Sequence, residues 1–376
     1  MKVAVIQPLL PHYSIAFFNR VVELHPEVEL VVLADIETSE SLNQYRPQDC
    51  RFIVRHLPSL KRKGLIFRPG LLHRLRQEKA DIVVYNANPR EVSQLWAMVV
   101  SRLKGQRFTA WGMFHRIGGP RLVSNVYYRL VGRLASKCLT YTRTGASNLV
   151  SLGVPKQRIG VVGTAIDERI PFAERAARTP EELAEFRRAH DLDDRHVVLQ
   201  VVRLSRLKRP ELLVQAAEIL LRQRQDLLFV LIGNGEMRQE LEDMVAARGI
   251  QHAFRFLGAI YDEAVLSRWY MSADVFVVPT CIGLSAHHAM SYGVPVVTDD
   301  SLDSQASEFE IIADGLNALT YHEGDVASLA EAIGKVTANS AFRSFLSTNA
   351  IRTIKSKQNL ARKAANFCKL NTALPR

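Results

Sequence analysis

The sequence predicts an α/β protein made of two doubly wound domains. Three observations carry that expectation. Short β-branched runs alternate with amphipathic stretches, the series breaks once over a charged interval without strands, and a second series of the same kind follows. A length of 376 residues fits about two domains. A content of 47% apolar and 23% charged residues excludes collagen, coiled-coil rods and disordered chains.

In the first series KVAVI (2–6) reads as a buried strand, FFNRVVELH as a helix and VELVVLA (28–34) as a strand. DIVVYN (81–86), FTAWG (108–112), CLTY (138–141) and IGVV (159–162) are further strand candidates. Strands spaced by helical patterns imply βαβ units and a parallel sheet. Residues 164–195 are charged and mostly helical in propensity. The second series runs through HVVLQVVR (196–203), LLFVLIG (227–233), FRFLG (254–258), VFVVP (275–279), VPVVT (294–298) and LNALTY (316–321). The expected organisation is a Rossmann-like domain over 1–165, a linker over 166–195 and a second such domain over 196–349, facing each other across a central cleft. The basic helical segment 350–376 is expected to pack back on the first domain.

Four scattered cysteines without a CxxC or Cys/His zinc spacing fit a reducing compartment. The opening MKVAVIQPLL lacks the long apolar stretch of a signal peptide. No run approaches the ~18 apolar residues of a spanning helix. The net charge of +11 is uneven: residues 1–50 carry −4, residues 51–158 carry +18 and residues 159–376 carry −3. An excess confined to one block points to an anionic partner there: nucleic acid, phospholipid headgroups or a phosphorylated substrate.

Ligands of open α/β sheets bind at the carboxyl ends of strands, where helix N-termini favour phosphate. Five stretches occupy such places. In VVRLSRLKRPELLVQA (201–216) a strand ends at Arg203, and Lys208 precedes Pro210 and an apolar helix. Two cations at a strand-to-helix junction suit a diphosphate, although Arg203, Arg206, Lys208 and Arg209 also read as a solvated basic loop. Gly233-Asn234-Gly235 follows a strand, either admitting a ligand to the backbone or forming an ordinary tight turn. In VFVVPTCIGLSAHHAMSYGVPVVTDD (275–300), His287 and His288 diverge by about 100° on a helix, so at most one faces a ligand. In SEFEIIADGLNALTYHEGDVASLAEAI (307–333), Glu308 and Glu310 either hold sugar hydroxyls or stabilise a helix start, and Asp325 caps a helix. In FTAWGMFHRIGGPRL (108–122), His115 reads as a proton carrier or as a structural residue.

In order, these stretches resemble the GT-B glycosyltransferases of family 4, the retaining, nucleotide-sugar-dependent group. The resemblance covers nearly the whole chain and is strongest over 197–335. VVRLSRLKRPELLVQA resembles the G-R-L-x-x-x-K-G stretch whose Arg and Lys hold the donor diphosphate, which implies that role for Arg203 and Lys208. IGNGEMRQELE, with Gly233 and Gly235, resembles the G-x-G-x-x-x-x-x-L segment. The stretch around Ile260 resembles the one whose backbone borders the nucleotide base. YTRTGASNLVSLGVPKQRIGVVGTAID resembles the close of the first domain, and QPLLPHYSIAFFNRV the acceptor-side opening loop. Against the pattern E-G-F-G-L-x-x-x-E-A-M-x-x-G-x-P-V, GLSAHHAMSYGVPVV places Thr280 and His288 where two glutamates belong. This resembles a subgroup with His in place of the second glutamate, the ribose contact. Gly283, Leu284 and Ser285 become candidate phosphate donors at a helix N-terminus. Glu308, Asp299 and Asp300 are candidates to replace the missing first carboxylate, which lies near the donor sugar.

The resemblance implies sugar transfer with retention from a nucleoside diphosphate sugar to a lipid-linked glycan acceptor, in bacterial surface polysaccharide or glycolipid synthesis. His115 is offered as a catalytic residue beside Arg203 and Lys208. With no DxD at a strand end, no metal or further cofactor is expected. PSLKRKGLIFRPGLLHRLRQ (58–77) interleaves Lys61, Arg62, Lys63, Arg68, Arg74 and Arg76 with apolar residues. That mixture suits an anionic membrane surface and a peripheral place on the cytoplasmic face of the plasma membrane, or else a solvated basic helix pair. The alternative is a lapsed enzyme scaffold that binds a polyanion or nucleic acid. The few aromatics in the basic block and the lack of a nucleic-acid motif speak against it. A nucleotide-sugar epimerase would need cleft carboxylates that the sequence does not place.

Overall fold

A computed structural model of the chain describes residues 1–38, 45–119 and 122–372. They divide into two compact units, Met1–Asp167 with the C-terminal segment from Leu360, and Glu168–Asn359.

Unit 1 contains β1 (Lys2–Ile6), α1 (His12–Leu24), β2 (Glu29–Ala34), β3 (Ile53–His56), β4 (Leu60–Arg62), β5 (Leu65–Phe67), α2 (Leu71–Glu78) and β6 (Ile82–Asn86). It continues with α3 (Val92–Leu103), β7 (Phe108–Gly112), α4 (Leu122–Leu134), β8 (Lys137–Thr140), α5 (Arg143–Ser151) and β9 (Ile159–Val161). The sheet is parallel, in the order β3-β2-β1-β6-β7-β8-β9. It is covered on both faces, so its strands are continuous apolar runs. Alternate residues enter opposite layers: Val3 and Val5 pack with Phe17 and Phe18 of α1, whereas Ala4 and Ile6 pack with Tyr85, Phe108 and Tyr128.

The basic segment 58–77 is not a helix pair. Its first part is the antiparallel hairpin β4–β5, turned at Lys63 and Gly64 with φ of 48° and 77°. Lys61, Arg62 and Lys63 are exposed, but Arg68 is buried. Its guanidinium forks onto Glu91, Nε donating to Oε2 at 2.9 Å and Nη2 to Oε1 at 2.7 Å, so it faces no membrane.

Unit 2 opens with α6 (Arg169–Ala177) and α7 (Pro180–Ala189), within the stretch expected as a linker. Its charge lies on the outer sides of helices that pack on the unit's own core, through Phe172 and Phe186. Thr179 starts α7 with a capping box, its hydroxyl accepting from Glu182 N at 3.2 Å. Next come β10 (His196–Val201), α8 (Glu211–Leu221), β11 (Leu227–Ile232), α9 (Arg238–Ala247), β12 (Phe254–Gly258), α10 (Glu263–Met271) and β13 (Val275–Val277). α11 (Ser285–Tyr292), β14 (Val296–Asp299), β15 (Ala318–Tyr321), α12 (Val326–Ala338) and α13 (Ser340–Lys357) complete the unit. This sheet is also parallel, in the order β12-β11-β10-β13-β14-β15.

The expected terminal helix is divided. Residues 350–357 belong to α13, which packs against α11 in unit 2. Only α14 (Leu360–Thr372) returns to unit 1, beside α1. In both sheets the chain winds outward from a central strand, then reverses. The reversal falls between β1 and β6 and between β10 and β13, the place where doubly wound sheets open a crevice. Among the described residues, no helix is long and apolar enough to cross a membrane.

Candidate functional site

The loops after β10 and β13 meet at the switch point of unit 2. The first carries Arg203 and Lys208, and the second runs from Val278 to Leu284. Lys208 bridges them, its Nζ donating to the carbonyl of Cys281. A Cβ built on Gly283 would lie 3.5 Å from that ammonium, so the glycine leaves room beside the charge. Arg203 is exposed on the same loop, with Arg206 beyond it bound to Glu240 at 3.0 Å. Backbone N–H groups, followed by the charges of Arg203 and Arg206, hold the Glu236 carboxyl below its usual range.

α11 starts at Ser285 with no side-chain cap, near the Lys208 ammonium, and the N–H groups of Ala286 and His287 turn back onto Gly283 O and Leu284 O, each at 3.0 Å. Position 281 aligns with the first glycine of the family pattern. It holds a buried cysteine with a left-handed φ of 52°, a backbone feature that residue type and spacing do not signal. Burial pushes its thiol up, Lys208 opposes the rise, and Glu308 and Asp299 add to it.

Beneath this loop lies a buried polar cluster. Asp299 Oδ1 accepts from Ser304 Oγ at 2.8 Å, Gln305 Nε2 at 3.0 Å and Ser301 N at 3.1 Å. Gln305 also accepts from Ile282 N at 2.8 Å, tying the loop down. Thr280 Oγ1 and Asp299 Oδ2 are buried, and the Thr280 hydroxyl lies by the Asp299 carboxyl and favours its charged form. Burial pushes the Asp299 carboxyl up. Asp300 is exposed and pairs with His322 at 3.0 Å.

His287 is buried in α11 and His288 half-buried, so adjacent positions diverge as helical geometry requires. His288 Nε2 lies 3.9 Å from Glu263 Oε2, and its ring stacks on Tyr270. Glu263 also accepts from Tyr292 Oη at 2.7 Å. A carboxylate from the first turn of α10 thus stands beside position 288. Sequence spacing could not signal this, because the two positions lie on different helices. Ile260 lines a pocket of about 640 Å³ with Leu257, Phe186 and Trp269.

At Gly233 and Gly235 the crossing of two backbones itself requires glycine. A Cβ on Gly233 would stand 1.8 Å from Val202 O, and one on Gly235 would stand 2.1 Å from Leu204 O. The glycines let the loop after β11 cross the loop after β10, and Leu204 N donates to Asn234 O at 3.0 Å. Asp325 caps α12 as expected, accepting from Ala327 N at 2.9 Å. His115 belongs to unit 1. It follows Phe114, which has a φ of 54°, and its Nδ1 is buried without a partner among the described residues. No group of acidic, His and Cys side chains among the described residues is arranged to hold a metal ion.

The folds of the two units, each a parallel sheet wound in both directions, are those of the GT-B glycosyltransferases. Crystal structures of Anabaena HepE share that architecture. The complex with UDP has a TM-score of 0.78 at 15% identity and covers 99% of both chains. Residues 183–353, all in unit 2, match the family model described as glycosyl transferases group 1. An uncharacterized glycosyltransferase of Methanocaldococcus jannaschii is 32% identical over 197 residues, 50% of this chain and 49% of the relative. For it and two further curated relatives, the chain spans about half of the relative's length. A GDP-mannose-dependent alpha-(1-6)-phosphatidylinositol monomannoside mannosyltransferase of Mycolicibacterium smegmatis is 24% identical, with 87% of this chain and 85% of the relative aligned.

Proposed function

We propose that the chain is a retaining glycosyltransferase that moves a sugar from a nucleoside diphosphate sugar to a lipid-linked glycan acceptor. The observation that carries the reading is the Lys208 ammonium, held at the unit 2 switch point beside the uncapped start of α11. Developing charge on a leaving diphosphate is the largest electrostatic demand of such a transfer, and preorganised cations meet it at low reorganisation cost. Lys208 and Arg203 take that role, with the N–H groups of Gly283, Leu284 and Ser285 on the phosphates. His288, backed by Glu263, holds the ribose, Ile260 borders the base, and Glu308 faces the donor sugar. His115 serves the acceptor from unit 1. The acceptor hydroxyl attacks from the face the diphosphate leaves, and the departing phosphate takes its proton. Charge neutralisation falls to the two cations rather than to a metal ion.

The UDP complex of Anabaena HepE and the GDP-mannose-dependent relative support a nucleotide-sugar donor. The phosphatidylinositol mannoside named for that relative supports a lipid-linked acceptor. The +18 block supports attachment to an anionic membrane, at the inner face of the plasma membrane, with the exposed part of 58–77 taking part.

The test is thermal stabilisation by UDP, GDP and ADP sugars. A donor at 100 times its dissociation constant adds about 2.7 kcal/mol. The stabilising donor must then give a product of retained configuration. Absence of stabilisation by every donor rejects the reading, and an inverted product rejects its stereochemistry.

A further inference from the structure

Residues 92–166 contain eleven lysines and arginines and not one aspartate or glutamate. α3 and α4 lie in this stretch and pack against each other. The inner face of α4 is conventional, with Tyr127, Tyr128 and Val131 buried in the core. Its outer face is apolar as well: Leu122 is 81% exposed and Val123 78%, with Val126 and Leu130 also exposed. Arg129 and Arg133 project from the same outer arc, at helical spacing from these residues. α3 repeats the pattern, with Trp96 61% and Leu103 81% exposed, and Arg102 and Lys104 at its end.

Single exposed apolar side chains are ordinary, but stripes on two neighbouring helices are not. We infer that the outer faces of α3 and α4 form a docking surface for an anionic phospholipid bilayer. Aliphatic side chains and Trp96 enter the headgroup boundary, while arginines lie along them with guanidinium groups at the phosphates. Charge decides among occupants. A second copy would bring like charge against like, and a nucleic acid would leave the leucines and valines without bases to stack on. An anionic bilayer satisfies both halves of the surface. The inference rests on the membrane attachment in the proposed function and moves its main contact from the β4–β5 hairpin to these helices.

The experiment is flotation of the full chain with phosphatidylcholine vesicles, with and without 30% phosphatidylglycerol, while Trp96 emission is recorded. The other tryptophans, Trp111 and Trp269, are buried, so a blue shift on vesicles reports this face. The wild type is expected to bind the anionic vesicles with a blue shift and to release them in high salt. The double substitution Val126→Asp and Leu130→Asp should lower binding at least tenfold without changing the melting temperature. Equal binding by this variant, or an unshifted Trp96 emission on bound protein, would overturn the inference. Abolition of binding by Lys61→Glu, Arg62→Glu and Lys63→Glu, with the α4 variant still bound, would overturn it while keeping membrane attachment. A wild-type dimer that the α4 variant makes monomeric in sedimentation would assign the face to a second copy and overturn it. No vesicle binding at all would reject attachment too, leaving sugar transfer to its own donor test.

Discussion

The two units wind their central strands in the same order, yet hold the charged group nearest the switch point in different ways. In unit 1 the loop after β6 leads to Glu91, whose carboxylate is fully matched by the buried Arg68 guanidinium. In unit 2 the loops after β10 and β13 are joined through Lys208, whose ammonium donates to the carbonyl of Cys281 and meets no carboxylate in an ion pair among the described residues. A closed ion pair fixes a hairpin to a helix. A cation held only by a carbonyl, next to a helix start without a side-chain cap, keeps its charge available to an anion. The same scaffold thus yields a structural joint in one place and a candidate site in the other.

The sharpest way to break that comparison is to remove Glu91. Glu91→Ala strands a buried guanidinium and should destabilise unit 1 by about 3–5 kcal/mol in denaturant unfolding. A loss below about 1 kcal/mol would mean that the pair is not the joint described. Gly233→Ala comes next. Its methyl would overlap Val202 O, at a position where φ is 140°, and about 2–4 kcal/mol of destabilisation is expected in the same measurement. Donor affinity should fall with it, because the displaced loop carries Arg203. Unchanged stability would restore the ligand-approach explanation for this glycine.

A smaller effect is expected at Asp299. Burial raises its carboxyl above the ordinary value of 3.8. Its contribution to stability is therefore present below the unfolded value and lost as pH rises through the folded one. Asp299→Asn keeps an oxygen for the three donors and puts a neutral N–H₂ beside the Thr280 hydroxyl. The variant should gain about 1 kcal/mol on the wild type as pH rises from 4 to 7, read from paired unfolding curves. A constant difference across that range would show that the carboxyl carries no buried-charge penalty.

Much of this architecture was legible in the sequence. Strands buried on both faces are continuous β-branched runs, and KVAVI, FTAWG and LLFVLI fall on β1, β7 and β11 to within a residue. β3 was missed because an edge strand, IVRH, is only half-buried and interrupted by Arg55. The hairpin's turn signal at Gly64 lies inside a run of lysines and arginines that reads equally as a basic helix pair. α6 and α7 were read as a linker although Thr179-Pro180-Glu181-Glu182 is a legible helix start. Arg203, Lys208 and the α11 start were visible as types at spacings. The Glu263–His288 pairing and the Gln305 tie to Ile282 depend on tertiary contacts between distant segments, which no local pattern encodes.

The central claim is that Lys208 neutralises a leaving diphosphate at the unit 2 switch point. Its most direct test is kcat/KM for sugar transfer by Lys208→Ala, with the donor that stabilises the wild type. A fall of about 10²–10³-fold is expected, the scale for removing one preorganised charge-stabilising group, with the melting temperature nearly unchanged. Transfer at a near wild-type rate would contradict the account.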